Sequence, residues 1–182
     1  YKNRQEVFFK DIPIDSLILI PTNPICYRSN DTTFPYRASS YILYLCGWKE
    51  PNAIFMAYYK SDSWVTSIFV QPRDTKAEIW EGRRVGIEGA SSDWPVEDAY
   101  SVTDMEKTIS DQISKSEKIY SIKGLNESLE KIIQSSELEV IDPRVILDEM
   151  RLIKSDGEIL LMQKSASLAS QAHIEGMKKS FS

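Results

Sequence analysis

Few residues in this chain have the types and spacing that catalysis requires. His173 is the single histidine, and it lies between Ala172 and Ile174 in a segment with helical patterning. A catalytic triad or a Cys–His pair needs a histidine as its base, whereas a role in packing or on the helix surface suits His173 better. We therefore expect no catalytic residue in this chain.

Glycines and carboxylates are also grouped too loosely to define a site. Gly82, Gly86 and Gly89 give residues 80–90 (WEGRRVGIEGA) a faint likeness to a phosphate-binding loop, but the Lys-Ser/Thr pair of such a loop is missing. Acidic residues are plentiful over residues 78–98, yet no spacing forces them together around a metal ion. A solvated acidic loop is the expected structure there, and no metal site is predicted in this chain.

The two cysteines, Cys26 and Cys46, are far apart in the sequence, with neither a CxxC motif nor a histidine nearby. Zinc sites usually show such closely spaced ligands, so a zinc site is not expected. Disulfides are also rare in the cytosol. Both cysteines are predicted to be reduced thiols in the core.

Composition and charge narrow the class of protein. The 182 residues are 42% hydrophobic, which indicates one globular domain or one with a short appendage. The net charge of -5 and the pI near 5.1 oppose binding to a phosphate backbone, so nucleic acid is excluded as a first partner. No run approaches the roughly 18 apolar residues of a membrane span, and no signal-type run is present. A cytoplasmic protein without a membrane partner is predicted.

Arginine, tryptophan and tyrosine are concentrated in two segments that we expect to be loops. Residues 28–37 lie between two predicted strands, and residues 71–84 follow another. These side chains combine a large apolar area with directional hydrogen-bond donors, which is why binding surfaces use them. The residues alone leave two alternatives open: a binding surface, or local packing against the edge of the sheet.

The elements that must position these loops begin with strands in the first half. Short runs of β-branched and aromatic residues between turn residues predict strands at 16–20, 25–28, 40–46, 53–59 and 64–70. The polar connections 49–52 and 60–63 have the length that joins antiparallel neighbours. A three-stranded meander over residues 40–70 is therefore predicted.

The second half alternates helix and strand signals. Thr103 and Glu106 predict a capping box, and Asp142 before Pro143 predicts another helix start. The expected elements are a helix with Met105, Ile109 and Ile113 in one stripe, a strand at 118–122, a helix with Leu125, Leu129, Ile132 and Ile133, and a strand at 138–141. Such alternation indicates parallel pairing. The predicted fold class is α/β, with a single mixed β-sheet and helices on its faces.

The last segment differs from both halves. Ser155 and Glu158 predict a second capping box, followed by a helix of about 25 residues. Its apolar residues cover more than one narrow stripe, which is more than an isolated surface helix usually shows. Either this helix folds back on the sheet, or it opens a second domain that lies outside the chain.

Four stretches of the chain form a recognisable set of motifs. They are residues 28–37 (RSNDTTFPYR), residues 41–53 (YILYLCGWKEPNA), residues 69–86 (FVQPRDTKAEIWEGRRVG) and residues 150–159 (MRLIKSDGEI). These motifs resemble the N-terminal domain of the Xaa-Pro aminopeptidases (aminopeptidase P) of the creatinase/prolidase superfamily. The resemblance covers nearly the whole chain. The departures are residues 38–40, where the family more often shows a glutamine and an acidic or amide residue, and an N-terminal helix that looks short.

The resemblance implies a fold, a division of the chain and a role. The fold would be of the creatinase N-terminal-domain type, ribonuclease-H-like, over residues 1–153, and residues 154–182 would form a linker helix at the start of an absent catalytic domain. That catalytic domain would hold two divalent metal ions, with manganese expected, and would cleave the bond before a proline. This chain would hold no cofactor and would be inactive alone.

The resemblance also implies partners and site residues. The domain would serve its own catalytic domain, a homo-oligomer (dimer or tetramer) and proline-containing peptides. Trp80 and Asp31 would lie near the substrate entrance of a neighbouring subunit. An indole offers a flat apolar face to a proline, and a carboxylate can meet a cation. The residues implied at interfaces are Tyr36, Arg37, Arg83 and Arg84.

Other classes remain as alternatives. The same two-domain architecture without metal ligands occurs in the large subunit of the FACT histone chaperone, so a peptide-binding or protein-binding module of a pseudo-peptidase is the second hypothesis. Prolidase is a related enzyme alternative, but the run Glu78–Arg84 (EIWEGRR) favours aminopeptidase P. A nuclease on a ribonuclease-H-like sheet would need converging carboxylates, and the charge of the chain opposes it.

Overall fold

A computed structural model describes residues 1–180 of the chain. These residues divide into two compact units, one of residues 1–147 and a second that begins at Asp148. The first unit holds the β-sheets. The division at residue 153 inferred above stays a prediction.

Helices and strands alternate through most of the chain. The helices are α1 (Lys2–Phe9), α2 (Ser40–Leu45), α3 (Glu78–Glu81), α4 (Gly86–Asp93), α5 (Met105–Ile113), α6 (Glu127–Gln134), α7 (Arg144–Leu152) and α8 (Asp156–Lys179). The strands are β1 (Ser16–Pro21), β2 (Tyr27–Ser29), β3 (Thr32–Thr33), β4 (Ile54–Lys60), β5 (Ser63–Val70), β6 (Asp98–Ser101), β7 (Lys118–Ser121) and β8 (Glu139–Ile141).

The main sheet is mixed and has the strand order β6-β5-β4-β1-β7-β8. Strand β4 pairs antiparallel with both β1 and β5. The remaining pairs, β5 with β6, β1 with β7 and β7 with β8, are parallel. The predicted fold class, a mixed α/β sheet with helices on its faces and a long C-terminal helix, is confirmed.

Both faces of the main sheet are covered within the first unit. One face carries a core shared with α5 and α6, because Ile109 and Leu129 pack against alternate residues of the strands. The other face includes Ile18 and Ile20 of β1, which are also buried, and α2 lies against this strand. Each buried aliphatic side chain contributes about 1.5–3 kcal/mol, so this two-sided core holds the sheet rigid. The loops at its ends therefore start from fixed points.

The hairpin between β4 and β5 is as predicted. Ser61 and Asp62 have φ angles of 51° and 65°, the left-handed conformation that a tight two-residue hairpin turn requires. The strands predicted at 53–59 and 64–70 are confirmed, and the connection at 60–63 joins them.

The predicted strand at 40–46, and with it the meander over 40–70, is wrong. Ser40–Leu45 forms helix α2, because the Ser39 side chain accepts a hydrogen bond from the N–H of Tyr41 and caps the first turn. The buried residues Ile42 and Leu45 are three apart, which fits a helical face rather than a strand. Strand β1 takes the third place in the antiparallel part of the sheet.

The predicted strand at 25–28 is displaced and belongs to another sheet. Residues Tyr27–Ser29 pair with Thr32–Thr33 in a separate two-stranded ribbon, and every residue of both strands is exposed. Cys26 is exposed beside this ribbon, so the prediction of a core thiol is wrong there. It is confirmed for Cys46, where burial raises the pKa of the thiol to about 12.

The second half follows the prediction except at two helix starts. Leu125 precedes α6 instead of lying in it, because Asn126 caps this helix by accepting a hydrogen bond from the N–H of Leu129. Asp142 accepts a hydrogen bond from the N–H of Arg144 at the start of α7, as a capping residue does. The capping box of Thr103 with Glu106 does not form. Ser101 instead accepts a hydrogen bond from the N–H of Thr103, and a short 3-10 turn over Val102–Asp104 precedes α5.

Helix α8 begins with the predicted capping box of Ser155 and Glu158 and continues for 24 residues. None of its residues is buried, and its exposed apolar side chains include Leu160, Leu161 and Leu168. Over residues 1–180, no helix is both long enough and apolar enough to cross a bilayer.

Candidate functional site

The strand register brings the loops of interest to one end of the main sheet. Pro21 at the end of β1 pairs with Ile54 at the start of β4, and Ile54 pairs with Phe69 near the end of β5. The chain therefore leaves β1, enters β4 and leaves β5 at the same end. Every predicted site residue lies in the segments that follow β1 and β5.

Residues 71–86, here called the Trp80 segment, present an indole to solvent. Trp80 lies on the single-turn helix α3 and is 89% exposed, and its neighbour Ile79 is exposed as well. A free indole that large is normally covered in a folded domain, since burying an aromatic side chain contributes several kcal/mol. This segment is therefore a candidate contact surface for another molecule or domain.

Charged side chains hold the first end of α3. The guanidinium of Arg73 donates two hydrogen bonds to the carboxylate of Glu78, with Nε–Oε1 at 2.6 Å and Nη2–Oε2 at 2.9 Å. Asp74 Oδ1 accepts from the backbone N–H groups of Lys76 at 2.9 Å and Ala77 at 3.2 Å. These bonds satisfy donors that the start of a helix leaves free.

The far end of α3 is held by Arg84. Its Nη2 donates to Glu81 Oε2 at 2.7 Å, and its Nη1 donates to the carbonyl oxygen of Pro72 at 3.2 Å. The next backbone N–H, that of Val85, donates to Glu50 Oε1 at 2.8 Å. The segment is thus closed on itself and tied to the connection that precedes β4.

The electrostatics of the first end keep its groups charged. The hydrogen bond from Arg73 lowers the pKa of Glu78, and the same bond raises the pKa of Arg73. The backbone N–H groups of Ala77 and Lys76 lower the pKa of Asp74. Each shift favours the charged form, so these contacts persist as ionic hydrogen bonds at neutral pH.

Residues 26–34, here called the Asp31 ribbon, form a two-stranded ribbon and not a segment held by charged side chains. Asp31 lies in the turn between β2 and β3, and its hydrogen bond is with the adjacent Thr32 hydroxyl at a long 3.5 Å. The N–H of Phe34 donates to the carbonyl oxygen of Cys26 at 2.9 Å and closes the base of the ribbon. Tyr27 and Phe34 are exposed apolar side chains here.

Tyr36 fastens the chain just after the ribbon. Its hydroxyl oxygen lies 2.7 Å from Thr22 Oγ1 and 3.1 Å from the carbonyl oxygen of Asn23. Burial raises the pKa of this hydroxyl, and the hydrogen bond with Thr22 opposes that effect. Arg37 donates from both terminal nitrogens to Ser40 Oγ at 3.1 Å, at the start of α2.

Glu50 joins the two regions and was not identified from the sequence. Its carboxylate accepts from Val85 at the end of the Trp80 segment, and its carbonyl oxygen lies 3.5 Å from the hydroxyl of Tyr36. The sequence shows that Glu50 lies in a short polar connection before β4. Which backbone N–H its carboxylate binds depends on the strand register, and the pattern of residues does not predict that register.

The structure brings the predicted residues to one end of the sheet but gives them different surroundings. Trp80, Asp31 and Arg83 are exposed, and Arg83 makes no hydrogen bond or ion pair with any other residue in the range 1–180. Tyr36 and Arg84 instead bond within their own segments. Among the described residues, no group of three or more His, Cys, Asp or Glu side chains could hold a metal ion.

Comparison with known proteins shows which family the chain belongs to. Residues 1–139 match the family model "Aminopeptidase P, N-terminal domain". The Xaa-Pro aminopeptidase of Haemophilus influenzae is 32% identical over 98% of this chain, which covers 42% of that relative. The solved structure of proline aminopeptidase P II from Yersinia pestis has a TM-score of 0.89 and 27% identity over 97% of this chain and 44% of its own.

A second solved structure, the low-pH form of aminopeptidase P from Escherichia coli, has a TM-score of 0.88 and 26% identity over 94% of this chain and 42% of its own. The chain thus spans less than half the length of the relatives that it matches. The family model covers most of the first unit, including both segments described above. The chain belongs to the aminopeptidase P N-terminal domain family.

Proposed function

We propose that this chain acts as the non-catalytic N-terminal domain of a metal-dependent Xaa-Pro aminopeptidase, which removes the N-terminal residue that precedes a proline. The names of its relatives and its match to the N-terminal part of longer proteins support this proposal. The proposed catalytic domain is a separate part of the protein and carries two divalent metal ions, with manganese expected. The cytoplasm is the proposed location.

The proposed role of the domain is to shape a substrate entrance within a dimer or tetramer. The single observation that carries this role is Trp80, an indole left 89% exposed on a segment whose two ends are held by ionic hydrogen bonds. Because these bonds hold the backbone of the segment, only the side-chain torsions of the indole need to be ordered when it contacts a partner. Its flat apolar face suits a proline ring at the entrance of a neighbouring subunit.

Asp31 and the interface residues complete the proposed surface. Asp31 offers an exposed carboxylate to a cationic group of the substrate or of a neighbour. Of the three arginines predicted at interfaces, Arg83 is the best placed to form an ion pair with another subunit, because its guanidinium has no partner among residues 1–180. Tyr36, Arg37 and Arg84 would support the same interface from the contacts that they make within their own segments.

The test is the steady-state kinetics of a Trp80→Ala variant of the protein that carries both domains, with an Xaa-Pro tripeptide as substrate. We expect KM to rise by about tenfold while kcat changes little, since the lost contact holds the substrate and does not touch the reacting bond. Ile14→Ala is a matched control, because Ile14 is also an exposed apolar residue (62%) but precedes the opposite end of β1. An unchanged KM in Trp80→Ala would contradict the proposed role.

A second experiment tests whether this chain is inactive without the catalytic domain. The purified 182-residue chain, incubated with Mn²⁺ and an Xaa-Pro peptide, should release no N-terminal residue, because no described group of its side chains could hold the metal. Metal-dependent release by this chain would refute a non-catalytic role. If the two-domain protein binds Xaa-Pro peptides without cleaving them, the pseudo-peptidase hypothesis replaces the proposal.

A further inference from the structure

Helix α3, which carries Trp80, is too short to hold its own position. It has four residues, and an isolated turn is unstable because helix nucleation fixes several residues for a single hydrogen bond. None of its residues is buried, so the core does not hold it either. The position of the backbone that carries the indole must therefore depend on side-chain contacts around the helix.

The contact best suited to this task is the pair of Arg73 and Glu78. Two parallel hydrogen bonds fix both the distance and the plane of the carboxylate, whereas a single bond would let it rotate. The side chain of Glu78 is only 11% exposed, so water competes less for it than in an ordinary surface ion pair. Glu78 is the first residue of α3, and Trp80 is the third.

Gly86 supports Arg73 from the other side. A Cβ atom at Gly86 would lie 2.6 Å from Cγ of Arg73, and the φ angle of Gly86 is +74°. The backbone at Gly86 therefore approaches the Arg73 side chain more closely than any other residue type would permit. Arg73 is held between this backbone and the carboxylate of Glu78.

We propose that Arg73 and Glu78 are positioning residues for Trp80, and that the affinity of the enzyme for the proline side of its substrate depends on their ion pair. Neither residue touches the substrate. Both act through α3, because they hold the backbone from which the indole projects before a peptide arrives. This inference rests on the function proposed for Trp80, and it adds two residues that determine specificity at the same surface.

The kinetic test uses the two-domain protein and the near-isosteric variants Arg73→Gln and Glu78→Gln. Each should raise KM for an Xaa-Pro tripeptide by about fivefold to tenfold with little change in kcat, because a misplaced contact weakens substrate binding without altering the reacting groups. The reversed pair Arg73→Glu/Glu78→Arg should recover at least half of the loss. Lys115→Gln, which breaks an exposed ion pair with Asp111 on α5, is the control and should leave KM unchanged.

A double-mutant cycle separates this inference from the function on which it rests. In a Trp80→Ala background, Glu78→Gln should add no further rise in KM, because the residue through which it acts is already missing. An equal rise in both backgrounds would overturn the inference while the role of Trp80 stands. If Trp80→Ala itself leaves KM unchanged, the proposed function fails.

The ¹⁹F spectrum of protein labelled with 5-fluorotryptophan tests the positioning directly and needs no activity. The Trp80 resonance is identified by its loss in Trp80→Phe. In Arg73→Gln and Glu78→Gln it should shift or broaden, while the resonances of Trp48, Trp64 and Trp94 stay in place. An unchanged Trp80 resonance overturns the inference. If all tryptophan resonances move, the variant has unfolded. The reversed pair Arg73→Glu/Glu78→Arg is then measured instead: a Trp80 resonance at its native position supports the inference, and a shifted one overturns it.

Discussion

The Trp80 segment and the Asp31 ribbon leave the same end of the sheet, yet they present their exposed side chains in opposite ways. Trp80 lies between two charged contacts, Arg73 with Glu78 and Arg84 with Glu81. Asp31 lies at the tip of a ribbon whose strands are wholly exposed, and its hydrogen bond is with its own neighbour. The backbone that carries Trp80 is held before a partner arrives, whereas the ribbon that carries Asp31 can adapt to it.

This difference indicates how one surface can bind its partner with affinity and still tolerate variation in the position of the partner's groups. A fixed apolar contact loses little entropy on binding and selects for shape. A carboxylate on an exposed ribbon can follow a cationic group over a range of positions, at a greater entropic cost. In the proposed entrance, the proline ring would thus be recognised by the rigid segment, and the more variable part of the partner by the ribbon.

The largest expected loss of stability comes from Gly86→Ala, because Gly86 lies against Arg73, which holds the Trp80 segment in place. The positive φ angle alone costs about 1–3 kcal/mol for alanine, and the contact with Arg73 adds overpacking of about 1 kcal/mol or more. Gly124→Ala is the matched control, because Gly124 has a φ angle of +86° and open space around its Cβ position. Urea denaturation of the chain should show that Gly86→Ala lowers the free energy of unfolding more than Gly124→Ala does. Equal losses of unfolding free energy would mean that the close approach of Gly86 to Arg73 does not affect stability.

A smaller effect is expected from removing one aspartate in each segment. Asp74→Ala should lower the free energy of unfolding by about 1 kcal/mol, because two backbone donors at the start of α3 lose their acceptor. Asp31→Ala should lower it by less than about 0.5 kcal/mol, as for a surface side chain without a specific contact. The same denaturation experiment measures both. A larger loss of unfolding free energy in Asp31→Ala than in Asp74→Ala would contradict the contrast between the Trp80 segment, which charged contacts hold, and the adaptable Asp31 ribbon.

The smallest effect is a pH dependence of the rigid segment. The pKa of Glu78 lies below its ordinary value of 4.5 because of the hydrogen bond from Arg73, so the folded state favours its charged form. Its contribution to stability is complete above about pH 4.5 and is lost as the pH falls through the lowered pKa. The Tm gap between the native chain and Glu78→Gln should therefore narrow from pH 7 to pH 3. A constant gap would mean that the pair adds no stability.

The sheet could be predicted from the sequence wherever burial and local preference agree. The strands around 16–20, 53–59 and 64–70 are such cases, since β-branched and aromatic residues fill a core between clear turn residues. At 40–46 the two signals disagree. Aromatic and β-branched residues favour a strand, but the Ser39 cap and the burial of Ile42 and Leu45 select a helix.

The candidate site could be predicted as a set of residues but not as an arrangement. The richness of the two segments in arginine and aromatic residues pointed to a surface, and Trp80 is exposed. The pairing of Arg73 with Glu78 and the link from Glu50 to Val85 depend on how loops fold on the finished sheet. Such contacts between a loop and a distant residue leave no periodic pattern in a sequence.

The central claim, that Trp80 reaches the substrate entrance of a neighbouring subunit, is tested most directly by photo-cross-linking. In the two-domain protein, Trp80→p-benzoylphenylalanine would be prepared with one tag and mixed with untagged subunits before illumination. We expect a product in which residue 80 of one subunit is joined to the catalytic domain of another, and less of this product when an Xaa-Pro peptide is in excess. Cross-links confined to a single subunit, or a yield that the peptide does not change, would contradict it.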